Sequence, residues 1–135
     1  KEADFYIHLG DYTRDAEILQ KQSEKPVYIV RGNNDFSPNH PYEQVLKMEN
    51  LTILITHGHK YNVKFSMDRL YFRAMEAEAN LVLYGHTHVP KVFAEQGIIF
   101  MCPGSLGSGF AAYGQTYGLI EMDNGKILPK ILKIN

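Results

Sequence analysis

The sequence predicts an α/β fold, and three observations carry that prediction. Short apolar runs alternate with amphipathic helical stretches over the first two thirds of the chain. Four of these runs end in polar loop chemistry that holds Asp, Asn or His. From Lys91 onward the pattern changes to apolar strands joined by tight turns, which reads as an antiparallel meander.

The elements follow in order. Asp4 to Leu9 reads as a strand ending at Gly10-Asp11. "TRDAEILQKQ" reads as a helix, with Thr13 as its N-cap and Ile18 and Leu19 on an apolar face. Pro26 separates it from "VYIV", an apolar strand of the kind covered on both faces. "RGNNDFSPNHP" crowds Gly, Asn, Asp and Pro together and is loop chemistry throughout. A strand around Val45 and a clearer one, "LTILIT", precede the loop "HGHKYN". Residues 66 to about 79 carry a helical face of Leu70, Tyr71, Ala74 and Ala77. "LVLY" is the next strand, and "KVFAE", "IIFM", "TYGLIEM" and "KILPKILKI" complete the set. Asn124-Gly125 is a hairpin signal between the last two.

Composition narrows the classes. A chain of 135 residues suits one compact domain, and no linker or repeat divides residues 1–135. The formal net charge of -1 argues against a broad nucleic-acid surface, though not against a local phosphate site. Cys102 is the single cysteine, so no internal disulfide can form, and a reducing, cytoplasmic compartment is expected. No apolar run is long enough for a transmembrane helix. "SGFAAYGQTYG", with Phe110, Tyr113 and Tyr117, reads as a packed loop rather than a dimer patch, and a homo-oligomer stays open.

The polar residues gather at one kind of place. Asp11 follows the first strand; Asn33, Asn34 and Asp35 follow the second; His57 and His59 follow "LTILIT"; His86 and His88 follow "LVLY". Ligands of open α/β sheets bind at the carboxyl ends of the strands. Carboxylate oxygen, amide oxygen and imidazole nitrogen together suit hard and borderline metal ions. With one cysteine there is no thiolate cluster, which excludes a zinc ribbon or an iron–sulfur site. Singly, each motif is weak. Gly-Asp and "GNND" are turns more often than sites, "HGH" divides evenly between loop and ligand, and "GHTH" leans to a site. His8 lies inside a strand and reads as a buried, hydrogen-bonded residue, and Cys102 as a small core residue beside "PGS".

In this order, "GD", "GNND", "THGH" and "GHTH" resemble the calcineurin-like metallophosphoesterases, most closely the small YfcE-type phosphodiesterases. The resemblance runs from "IHLGD" to the closing hairpins. It implies a four-layer αββα sandwich of two mixed β-sheets flanked by helices. It implies two divalent metal ions, Mn²⁺ first, with Ni²⁺, Fe or Zn²⁺ as alternatives. By resemblance Asp11 bridges both ions, Asn33, His57 and His86 complete one site, and His88 belongs to the other. The implied reaction is hydrolysis of a small phosphodiester by a water activated between the two ions. The expected partner is that substrate, with no membrane and no extended nucleic-acid surface.

Two departures from the family pattern stand out. The family opens with a strand ending in Asp-x-His that ligates the first metal, whereas this chain opens on "ADFYIHLGD", which corresponds to the second family strand. The expectation is a missing N-terminal β–α unit, an impaired fragment and an active full gene product. Secondly, phosphoprotein phosphatases of the superfamily carry a histidine where this chain has Asn34. An amide can hydrogen-bond a phosphate oxygen but cannot act as a general acid. That favours a phosphodiester with a good leaving group, with Asn34 binding phosphate and His59 divided between a substrate-side role and hydrogen bonding behind the ligands. Asp35 reads as a loop-orienting residue. The rival reading is a non-catalytic interaction scaffold of the same fold, like the retromer subunit, whose "GD" and "GNxD" elements are degraded.

Overall fold

A computed structural model describes residues 3–36, 38–107 and 114–134 of the chain. Its strands are β1 (Tyr6–His8), β2 (Val27–Ile29), β3 (Glu43–Met48), β4 (Leu51–Thr56), β5 (Leu81–Leu83), β6 (Lys91–Glu95), β7 (Ile98–Cys102), β8 (Thr116–Asp123) and β9 (Lys126–Lys133). Two helices, α1 (Thr13–Gln22) and α2 (Asp68–Glu76), and a 3₁₀ turn at His59–Tyr61 join them.

The strand order β3-β4-β5-β7-β6 makes a mixed five-stranded sheet. Its inner pairs, β4 with β5 and β5 with β7, are parallel, and the outer pairs are antiparallel. The period of two along each strand sorts side chains to opposite faces. Leu54, Val82, Phe100 and Cys102 pack with Leu70 and Ala74 of α2 on one face. Ile53, Ile55, Leu81, Leu83 and Met101 pack on the other against Ile7 and Tyr28 of β1 and β2 and against Ile120, Met122, Ile127 and Ile131 of β8 and β9. Beyond that second layer, Ala16 of α1 buries against Val27 and Ile29. The layers therefore run helix, sheet, sheet, helix, the sandwich that the family resemblance implies, with the second layer built among the described residues from two separate strand pairs, β1-β2 and β8-β9. No helix among the described residues is long and apolar enough to cross a membrane.

Three local expectations are corrected. The last third is not one meander: β6 and β7 form a hairpin inside the five-stranded sheet, whereas β8 and β9 form a separate ribbon in the second layer. A chain cannot signal by local pattern which distant strand will take its edge. Thr13 is not the N-cap of α1 but its first residue; Tyr12 precedes it in the left-handed region at φ 59° and offers no side-chain cap. The cap comes from afar, because the Thr13 N–H donates to Asp35 Oδ1 at 3.0 Å. The second helix is shorter than its apolar period suggests, and the loop "HGHKYN" contains the 3₁₀ turn. Of the segment "SGFAAYGQTYG", Phe110 and Tyr113 lie outside the described residues, while Tyr117 sits in β8.

Candidate metal centre

Two pairs of parallel strands aim their carboxyl ends at one edge. β1 and β2 pair in register, His8 opposite Ile29, so the loops after them emerge side by side. β4 and β5 pair with Ile55 opposite Leu83, and the Gly85 N–H donates to the His57 carbonyl at 2.9 Å just past their ends. The first pair belongs to one layer and the second to the other. His57 joins them: its Nδ1 lies 2.7 Å from the Leu9 carbonyl oxygen. A carbonyl only accepts, so Nδ1 carries a proton, and it is then at Nε2 that the neutral form of the ring has its lone pair, facing outward.

Around that Nε2 the other polar side chains close in. Asn33 Oδ1 lies at 3.0 Å, His86 Nδ1 at 3.2 Å and Asp11 Oδ2 at 3.5 Å. Four strand ends thus place a carboxylate, an amide oxygen and two imidazoles around one point. His57 and Asp11 are both buried, although Asn33 is exposed. Metal–ligand bonds of about 2.0–2.2 Å put neighbouring ligand atoms roughly 3.0–3.5 Å apart. The spacing and the oxygen–nitrogen donor set therefore fit a borderline divalent ion. Among the described residues no three His, Cys, Asp or Glu side chains stand as a finished ligand set.

The backbone supports this crowding. Gly10 sits at φ 99°, and a Cβ there would come within 2.8 Å of both the Gly32 nitrogen and His57 Nδ1. A Cβ on Gly32 would overlap the Asp11 carboxylate itself. Only glycine allows the two loops to approach so closely. Asp11, His86 and His88 all adopt positive φ, at 59°, 69° and 62°. Left-handed backbone at non-glycine residues is strained and collects at functional sites.

Asn34 orients Asp11 twice, donating its backbone N–H to Oδ1 at 2.9 Å and its side-chain amide to Oδ2 at 3.0 Å. Asp35 faces away from the cluster and ties the two loops together. Its Oδ2 accepts from the Asp11 N–H at 2.8 Å and the Gly32 N–H at 2.7 Å. Burial alone would raise its carboxyl, but the N–H groups of Thr13, Gly32 and Asp11 outweigh burial and hold it below the usual range. His86 is depressed to about 4, first by burial and then by the neighbouring His57. His59 is lowered by the same two causes in the same order. Both rings are therefore neutral at neutral pH.

His59 stands beside the cluster, its ring 5.3 Å from that of His57 and 6.1 Å from that of His86. His88 lies two residues beyond His86, half-buried; burial first and the Lys64 charge next lower its pKa, against a raising pull from Asp11. His8 has its Nδ1 accepting the Gly10 N–H at 3.2 Å, as a hydrogen-bonded strand histidine should. His40 pairs with Glu17 at 2.7 Å, away from the cluster. Sequence reading had no means to find the Leu9 carbonyl, since a backbone acceptor leaves no residue signal. It also passed over Tyr42, whose ring lies 5.5 Å from that of His59.

Comparison with known proteins adds to this geometry. Residues 1–125 match the profile of the calcineurin-like phosphoesterase superfamily domain. A Bacillus subtilis protein named probable metallophosphoesterase YsnB is 29% identical over 91% of this chain and 71% of its own length. A Streptococcus pneumoniae structure described as a predicted phosphoesterase is 30% identical, with a TM-score of 0.82 over 98% of this chain and 75% of that one. Vps29 of Entamoeba histolytica superposes with a TM-score of 0.79 over 100% of this chain and 84% of its own, at 18% identity, a likeness of fold alone.

Proposed function

Because the chain belongs to the calcineurin-like phosphoesterase superfamily, we propose that the protein hydrolyses a small phosphodiester with divalent cations held by Asp11, Asn33, His57, His86 and His88. The observation that carries this reading is the closure of four strand ends around the outward lone pair of His57 Nε2. Bound divalent cations supply Lewis acidity, which polarises the phosphoryl group, makes water a better nucleophile and neutralises developing charge. Mn²⁺ is the proposed ion, and Ni²⁺, Fe or Zn²⁺ would also suit mixed nitrogen–oxygen ligands.

The chain's own residues do the positioning. The Leu9 carbonyl fixes the His57 tautomer, as an outer partner does for a ligating imidazole. Asn34 holds both Asp11 oxygens and keeps a second amide hydrogen that can donate to a phosphate oxygen. His59 borders the cluster from the 3₁₀ turn, where it can contact the substrate. With asparagine at position 34, no imidazole follows the ligand asparagine, which suits an ester whose leaving group departs easily.

The test is turnover of a chromogenic phosphodiester by the full-length protein, with Mn²⁺ and with chelator, beside a metal count. Mn²⁺ should support turnover and chelator should stop it. His86→Ala should lower both bound metal and turnover by more than the roughly 10–100-fold typical of losing an outer partner. Undiminished turnover in that variant would sink the ligand assignment. Bound metal without turnover would favour the non-catalytic scaffold.

A further inference from the structure

The two loops that carry Asn33 and His57 also carry a pair of cations. The Arg31 guanidinium carbon lies 4.5 Å from the Tyr42 ring centroid, and Lys60 Nζ lies 4.3 Å from it. Neither cation has a carboxylate partner among the described residues. Arg31 Nε is buried with no hydrogen-bond partner, and His59 Nδ1 is in the same condition. Leaving a buried polar group unpaired costs more than a cation over an exposed ring returns. Two like charges on one ring also repel. Fold stability thus gives no reason for this arrangement, and an anion between the cations would give one.

The arrangement is held in place. The Arg31 N–H donates to the Pro41 carbonyl at 2.8 Å, which fixes the segment entering β3 beside the loop after β2. Lys60 is set by the 3₁₀ turn, and the His59 ring stands between Tyr42 and His57, 5.5 Å from the first and 5.3 Å from the second. The cation pair therefore adjoins the cluster on one side. The chain as a whole is slightly acidic, so the positive potential is local.

We infer that Arg31 and Lys60, framed on Tyr42, form a subsite for a second phosphate group of the substrate, beside the phosphate that is hydrolysed. The preferred substrate then carries two phosphates and not an isolated diester. The role of the neighbouring cluster rests on the phosphodiesterase reading; the binding property does not.

The test measures binding calorimetrically on the full-length protein in chelator, so that no metal contributes. Orthophosphate and AMP, each with one phosphate, are titrated into the parent and its variants. Orthophosphate should bind the parent, and Arg31→Gln and Lys60→Gln should each weaken that binding about tenfold, the size of one charge-assisted contact. Binding of orthophosphate alone points to an inorganic ligand, and binding of both to a nucleotide-sized one. The exposed Lys60 serves if the Arg31 variant does not fold. Arg14→Gln, which removes an equal charge from exposed α1, should leave orthophosphate binding unchanged. No orthophosphate binding in the parent, or equal loss in the Arg14 variant, would overturn the subsite. The phosphodiester assay is separate, so either reading can fail while the other stands.

Discussion

The Asp35 carboxylate accepts three backbone N–H groups, those of Asp11 in the loop after β1, of Thr13 at the start of α1 and of Gly32 in its own loop. Its pKa is held low by those donors, so its contribution has a defined pH window. Above the unfolded value of about 3.9 the carboxylate is charged in both states and the stabilisation is complete. As pH falls through the lower folded value, the proton is taken up and the stabilisation is lost. Asp35→Asn should therefore lower stability at neutral pH by about 1–3 kcal/mol and narrow the gap to the parent as pH falls below the ordinary carboxylate range, read from urea unfolding at several pH values. Equal loss at every pH would show that charge is not the cause. At the same scale, Asp11, His86 and His88 hold left-handed backbone without being glycine. The sequence shows these residues but not their φ.

At the scale of elements, each candidate ligand sits where an apolar strand stops. That much was legible, because a run such as "LVLY" ending in Gly85 declares both the strand and its end. The hairpin at Asn124-Gly125 was legible too, and both residues take the positive φ that such a turn requires. Helix capping was not. Thr13 has the chemistry of a cap, but a carboxylate from the loop after β2 captures its N–H instead. The pairing of Arg31 and Lys60 on Tyr42 was equally hidden, since the three lie in separate segments and each charge looks like ordinary surface. Loop approach gives a sharper expectation. Gly10→Ala puts a methyl within 2.8 Å of the Gly32 nitrogen at a φ of 99°, so the loops must separate. A loss of about 1–3 kcal/mol is expected, together with weaker metal uptake. Calorimetric unfolding and a metal titration check the two parts independently.

For the whole molecule, the five-stranded sheet is the common wall of two cores. Leu54, Val82 and Phe100 face α2, and Ile53, Leu81 and Met101 face the second sheet. The consecutive apolar residues of "LTILIT" foretell two buried faces but not which partner covers each, because the partners come from distant segments. Leu70 of α2 is fully buried in the first core and remote in sequence from the strands it covers. Leu70→Ala should cost about 2–5 kcal/mol in chemical unfolding, and a value near zero would mean that α2 is not docked as described. The bond from His57 Nδ1 to the Leu9 carbonyl crosses the seam between the two sheets. Asp11 and Asn33 stand on one side of that seam, and His57 and His86 on the other. An ion gripped by all four is therefore a cross-link between layers otherwise joined mainly by apolar packing. Occupancy and rigidity of the sandwich become linked quantities. At a free concentration a hundred times its Kd, such an ion would add about 2.7 kcal/mol to the folded state. The same residues that would perform the chemistry would then also act as a fastener that closes when the ion arrives.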